Sequence, residues 1–397
     1  MQRAAAVIGF LILVVLPSAA QTPIEERPAP IAFDAWQRVD SEEGPSEYTV
    51  TFPSSTRSGY PENDRVRLRA FLPENRQGAV PVVVVLHYWG ASDQKAEVSL
   101  ANDLLRRGIA AVLMPLPYHL SRTPAGYRSG QLAIQADPKV LVATMSQAVL
   151  DVRRTVDWIE TRPEFDSRHI GIVGTSLGSL VAANSYGVES RFGPAAFVVG
   201  GADFAHIIWN SSRVVEVRDR MRRMGLTEGK LREELAPIEP LNHLPRRETT
   251  PTFVVAGKFD TVIPPADTQK LLGVLPDNQS LWLETGHYGG IFVQRRIQGL
   301  VSTFFADTFA AKPFIAPKGI YAPTVRIGVS GIYGDGMQVG LGVDLWRSRR
   351  DDFLGTVLAT PKGVQIFLGA RLDRGVSVGF FGSNRGVRIG AMWSTVL

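Results

Sequence analysis

Unbroken apolar runs, each about the length of one strand, recur along the first three quarters of the chain, at residues 81–86, 109–114, 170–173, 195–199 and 252–256, with a shorter one at 280–283. A run apolar on every residue fits a strand covered by helices on both faces. Most gaps between the runs read as helical. In the clearest, residues 140–161, Leu141, Met145, Ala148, Val149, Val152, Val156 and Ile159 fall at helical spacing, with Arg153, Arg154 and Glu160 opposite. Strands alternating with helices predict a mostly parallel sheet with right-handed crossovers, an α/β fold. Ahead of it, residues 47–52 and 65–71 alternate with period two, as half-buried antiparallel strands at the sheet's entry do. Between the fourth and fifth parallel strands, residues 205–235 are rich in charge and helix formers and read as a helical lid, its bounds at about 203–245.

With 397 residues, 45% of them hydrophobic and 20% charged, the chain can bury a full core and make two or three units. Arg3, the apolar stretch 4–16 and the small residues at 17–20 read as an export signal cut after Ala20. Residues 21–32, rich in Pro and Glu, read as a flexible leader, and the α/β unit is expected over 33–317. No cysteine occurs, which removes disulfides, thiolate catalysis and cysteine-ligated metals. An exported chain without cysteine fits a bacterial periplasm or cell envelope. A formal charge of +5 is small for this length, and no nucleic-acid partner is expected.

Ser176 stands in Gly174-Thr175-Ser176-Leu177-Gly178, after an apolar strand and before a helix-forming run. A serine hydroxyl is a poor nucleophile until a base takes its proton and a tight strand-to-helix turn exposes it; glycines at 174 and 178 permit such a turn. Three more motifs accompany it: Leu86-His87-Tyr88-Trp89-Gly90 after the first buried run, residues 151–159 before the serine, and Gly257-Lys258-Phe259-Asp260-Thr261-Val262-Ile263-Pro264 after a late run. With these, residues 48–309 resemble the α/β-hydrolases, close to their dienelactone-hydrolase and acyl-esterase branches. Dienelactone hydrolases carry a cysteine where Ser176 stands, which points to an ester rather than a dienelactone.

The resemblance implies a catalytic triad of Ser176 with His287 as base, in the loop after the last parallel strand, and Asp260 as acid; Asp203 is the alternative acid. It implies oxyanion donors at the backbone N–H groups of Leu177 and Trp89. Tyr88, where the family commonly has glycine, is the fallback donor for Trp89, and Tyr88 and His119, the latter in a loop expected at the pocket mouth, are possible substrate-pocket residues. His87 is expected to brace its loop, and His169, His206 and His243 to be structural. No metal motif is present and no cofactor is expected.

From Lys318 onward the texture changes. Fifteen of the 38 glycines and ten Lys/Arg against five Asp and no Glu lie in this stretch, and Val364, Ile366, Leu368, Ala370 and Leu372 alternate with other residues. Residues 318–397 are predicted as an all-β meander of five or six strands. Its texture resembles that of outer-membrane strands, but the smallest single-chain barrels of that kind have eight, so closure is expected to need several chains. A soluble β domain packed on the hydrolase or a partner is favoured over membrane insertion, with envelope or membrane-surface association left open. The functional expectation is an exported serine hydrolase of a small carboxylic ester. A serine peptidase on the same fold and an envelope-binding protein working through its β tail are the alternatives.

Overall fold

The computed structural model describes residues 23–39, 46–74, 76–248, 250–275, 277–320, 322–347, 352–373 and 375–396. The expected export signal lies outside them. A nine-stranded sheet is built from β1 (Gln37–Val39), β2 (Ser46–Pro53), β3 (Arg65–Leu72), β4 (Val80–Leu86), β5 (Ala110–Met114), β6 (Phe165–Thr175), β7 (Phe192–Val198), β8 (Thr252–Gly257) and β9 (Asn278–Leu283), in the order β1-β2-β3-β5-β4-β6-β7-β8-β9. The two period-two segments, β2 and β3, pair antiparallel, and β3 joins the sheet antiparallel to β5. From β5 to β9 every pairing is parallel.

Helices cover both faces, which is why these strands are apolar throughout. α1 (Lys95–Leu105) and α9 (Gln294–Phe309) close one face over Val83, Val85, Ala111, Val173 and Val255. On the other, α2 (Pro138–Glu160) and α3 (Leu177–Val188) bury Val82, Val84, Val112, Ile172 and Phe197. α2 begins at Asp137, whose side chain accepts from the Lys139 N–H, with Pro138 at the first helical position. The predicted lid is α4 (Phe204–Asn210), α5 (Val215–Arg223) and α6 (Glu228–Leu235), followed by the single turn α7 (Pro240–His243); α8 (Pro265–Gly273) lies between β8 and β9.

Part of the segment read as a flexible leader is held against α2. Ile24 is buried, and Arg153 and Arg154 donate to the carbonyls of Ile24 and Ala29 at 2.7 and 3.1 Å. Those arginines, placed by periodicity on the outer face of α2, are themselves buried because they satisfy this incoming backbone.

The C-terminal strands β10 (Thr324–Ile332), β11 (Gly336–Arg347), β12 (Phe353–Thr360), β13 (Gly363–Asp373), β14 (Val376–Ser383) and β15 (Gly386–Val396) pair antiparallel in sequence order, as a meander does. β15 then pairs with β10, closing a six-stranded barrel within one chain. The expectation that closure needs several chains is thus corrected. Glycine at crowded points makes so narrow a wall possible: a side chain at Gly390 would lie 2.5 Å from the Gly331 carbonyl, and one at Gly340 2.8 Å from the Ala359 carbonyl.

Candidate active site

The turn from β6 into α3 holds Ser176 at φ 53° and ψ −114°, a left-handed backbone that a non-glycine residue adopts at a cost of about 1–3 kcal/mol. Its neighbours enforce it. The Ser176 N–H donates to the Val198 carbonyl at 2.9 Å, and its own carbonyl accepts from the Ser179 and Leu180 N–H groups. A side chain at Gly174 would run into the Gly178 carbonyl, and one at Gly178 would lie 2.5 Å from the carbonyls of both Leu86 and His87. Both glycines are therefore needed for α3 to pack over the ends of β4 and β6.

Two loops carry the other polar groups to Ser176. His287 Nε2 lies 2.9 Å from Ser176 Oγ, and His287 Nδ1 lies 2.7 Å from Asp260 Oδ2. The second Asp260 oxygen accepts from the N–H groups of Val262 and Ile263, each at 2.8 Å, which orients the carboxylate. The Lys258 and Phe259 N–H groups donate to the Leu283 and Thr285 carbonyls, stitching the Asp260 loop to the His287 loop. His287 and Asp260 are buried while Ser176 is partly open. A hydroxyl, an imidazole and a carboxylate in this series can pass the hydroxyl proton to the ring while the carboxylate fixes the tautomer.

Asp203 is not part of this series. It caps α4 at φ 68°, accepts from Arg232 Nη2 at 3.0 Å and from Lys270 Nζ at 2.7 Å, and faces the lid. Burial raises its carboxyl, but the bonds from Lys270 and Arg232 outweigh this and hold it below the usual carboxylate range.

The Leu177 N–H, in the first position of α3, and the Trp89 N–H have no intramolecular acceptor among the described residues. Around Trp89 the loop is tied down: its indole N–H donates to the Gly130 carbonyl at 2.8 Å, and the next N–H, of Gly90, donates to His119 Nε2 at 3.0 Å. His119 was expected at the pocket mouth. It is instead fully buried, its Nδ1 2.8 Å from the Pro117 carbonyl, and so braces the loop from behind. His87 does the same from the other side, with Nδ1 against the Tyr88 carbonyl and Nε2 accepting from the Leu116 N–H at 2.9 Å. Burial, with His119 nearby, pushes His87 down to about 3, and burial pushes His119 down to about 4, so both rings are neutral acceptors at neutral pH.

Sequence reasoning missed what anchors His119. Arg122, fully buried, pairs with Asp151 Oδ2 at 2.9 Å and donates to the Asn63 carbonyl, locking the 115–122 loop to α2. Asp151 lay inside a quoted motif, but nothing local in sequence pairs it with a residue 29 positions earlier.

Two cavities meet at Ser176 and share Trp89, Arg213 and Val262. One runs under the lid and is lined by Leu177, Leu180, Phe204, Ile207, Leu235 and Ile238. The other opens past His287, where Tyr88, Glu97, Tyr288 and Gln298 join apolar side chains. Burial pushes the Glu97 carboxyl up to about 7. Among the described residues, no three His, Asp or Glu side chains converge as a metal site would require.

Two family models match the sequence: the prolyl oligopeptidase family over residues 144–288, and alpha/beta hydrolase domain containing 18 over residues 36–191. No curated protein matches the chain by sequence. Among solved structures, acetyl xylan esterase 1 from Thermoanaerobacterium sp. JW/SL YS485 superposes with a TM-score of 0.55 at 15% identity, over 69% of this chain and 88% of that one. An acetyl xylan esterase from Paenibacillus sp. R4 gives 0.55 at 19% identity, over 69% and 89%. Fold and sequence matches agree: the chain has the α/β-hydrolase fold of these esterases and is similar in sequence to both families.

Proposed function

We propose that the chain is a serine hydrolase that cleaves carboxylic esters, and the observation that carries this is the hydrogen-bonded series Ser176–His287–Asp260 at 2.9 and 2.7 Å. His287 Nε2 takes the Ser176 proton as Oγ attacks the ester carbonyl. The Leu177 and Trp89 N–H groups receive the developing oxyanion, each such donor being worth about 3 kcal/mol of barrier lowering in comparable sites. Collapse breaks the bond to the alkoxide, which leaves with the proton from His287, and water then hydrolyses the acyl-serine by the same steps in reverse. The under-lid cavity is apolar and suits the acyl group. The second, with Tyr88, Glu97 and Gln298, suits a more polar leaving group. Structural likeness to acetyl xylan esterases supports an ester as the bond cleaved.

The test is turnover of short-acyl nitrophenyl esters and labelling by a fluorophosphonate, with Ser176→Ala beside wild type. Both are expected to vanish in the variant; turnover independent of Ser176 sinks the proposal. The prolyl oligopeptidase match favours a second reading, a serine peptidase. Faster cleavage of peptide amides than of esters across a substrate panel decides for it. Residues 1–20 support export to a bacterial periplasm or envelope, and N-terminal sequencing of the chain recovered from cell fractions checks it.

A further inference from the structure

The barrel exposes an apolar outer surface that a domain in water would bury. Its narrow interior is filled by a small apolar cluster around Phe367, Phe381 and Met392 together with buried polar groups: Arg326 pairs with Asp344 at 2.8 Å, Thr356 Oγ1 donates to the same carboxylate, Arg326 reaches Ser394, and Gln365 donates to Gln338. Its outer wall is apolar on every strand, with Ile327, Leu341, Val357, Ile366, Phe380 and Ile389 facing out from β10 to β15 in turn. Ile366 is 50% exposed, Phe380 56% and Ile389 65%, far above what a folded core allows. Among the described residues, no outward position of the wall between its rims carries a charge.

We propose that this barrel is embedded in a lipid bilayer, with the hydrocarbon as the solvent of its outer wall. A protein partner or a second copy would cover one arc and leave the rest of the ring in water, whereas hydrocarbon covers all six strands alike. Closure leaves no strand edge, so the barrel meets the condition that every backbone polar group be paired inside the membrane. Strands of 8 to 12 residues bracket the length of a tilted strand that crosses the hydrocarbon. Aromatic side chains mark both rims, Tyr333 in the turn after β10 and Trp346 at the opposite end of β11, as at a membrane–water interface. The rim that carries Tyr333 also carries Lys362 and Arg385 in its turns, and residues 318–397 hold ten Lys/Arg against five Asp, which suits anionic headgroups.

Flotation of the full chain with vesicles of phosphatidylcholine and phosphatidylglycerol tests this, together with quenching of tryptophan fluorescence by phosphatidylcholine brominated in its acyl chains. The chain is expected to float with the vesicles, to stay with them in 1 M salt, and to be quenched, the quenching falling in Trp393→Phe. Leu341→Arg and Ile366→Arg are each expected to cut vesicle partition at least about ten-fold while the melting of the hydrolase domain, followed by circular dichroism, is kept. Flotation lost in 1 M salt, or flotation without quenching, overturns embedding in favour of surface attachment. A chain that stays in water as a defined oligomer by sedimentation overturns it in favour of a second copy covering the wall.

Discussion

At Ser176 the backbone conformation and the hydrogen bonds specify different things: glycines 174 and 178 fix where the hydroxyl stands, while His287 and Asp260 fix what happens to its proton. Asp260→Asn is therefore expected to lower kcat by about four orders of magnitude with little change in folding, because an amide leaves the ring in the wrong tautomer. Asp203→Asn should leave kcat within a few-fold, since that carboxylate is spent on Arg232 and Lys270; steady-state kinetics of the two variants, side by side, checks the assignment. The buried histidines predict a second behaviour. His87 and His119 titrate near 3 and 4 in the folded chain but near 6.5 when unfolded, so the unfolded state binds more protons below 6.5 and stability falls as pH falls. Each contributes a loss of about 2 kcal/mol between pH 6.5 and 5. Glu97, raised to about 7 by burial, acts in the opposite sense over that range. His119→Gln should thus lose about 2 kcal/mol less than wild type on going from pH 6.5 to 5, read by urea denaturation at the two pH values. Equal losses would show that His119 does not carry a depressed titration.

Among the elements, those set by continuous apolar runs were legible in sequence, because burial on both faces leaves no other pattern for a strand to have. The helix at 138–160 was equally plain, and so was the strand–turn–helix around Ser176. What was not legible depended on long-range pairing: the Arg122–Asp151 bond behind the 87–90 loop, the burial of His119, and the β10–β15 pairing that closes the barrel. Strand count suggested an open meander, whereas closure is set by register and by glycines that let backbones approach. Under the proposed esterase activity, the lid is the element that sets acyl specificity. α4 and α6 pack against each other, and Phe204, Ile207 and Leu235 from them line the cavity beside Ser176. Filling that space with Ile207→Trp is expected to shift the preferred acyl chain of nitrophenyl esters toward shorter members. kcat/KM for the longest should drop about ten-fold or more, the scale of one or two lost methylene sites, while the acetate is nearly unaffected. An unchanged chain-length profile would move the acyl group to the other cavity.

For the whole molecule, what matters is where the barrel is fastened. The start of β10 and the end of β15 lie against the loops that carry Asp260 and His287. Thr324 Oγ1 donates to the Glu284 carbonyl, Thr285 Oγ1 to the Pro323 carbonyl, and Thr261 Oγ1 to the Val396 carbonyl, while Ile320 bridges to Leu283. Thr261 adjoins Asp260, and Thr285 lies two residues before His287. A barrel set in a bilayer would therefore hold the His287 side of the active site near the headgroups, and an ester drawn from the membrane would have a short path to the cavity past Tyr288 and Ile291, both exposed. Under the proposed esterase activity, vesicle-bound enzyme should favour a long-chain glyceride ester presented in the same vesicles over a short soluble ester. Leu341→Arg should lose that advantage while keeping its rate on the soluble ester. The two rates, measured on one preparation, separate the ideas. Loss of both points to damage at the active site, and a variant that keeps its full rate on the vesicle ester shows that the substrate does not come through the membrane. The same contacts predict a mechanical cost: Thr285→Val removes the tie to Pro323 and frees the loop before His287, so kcat is expected to fall several-fold with KM unchanged.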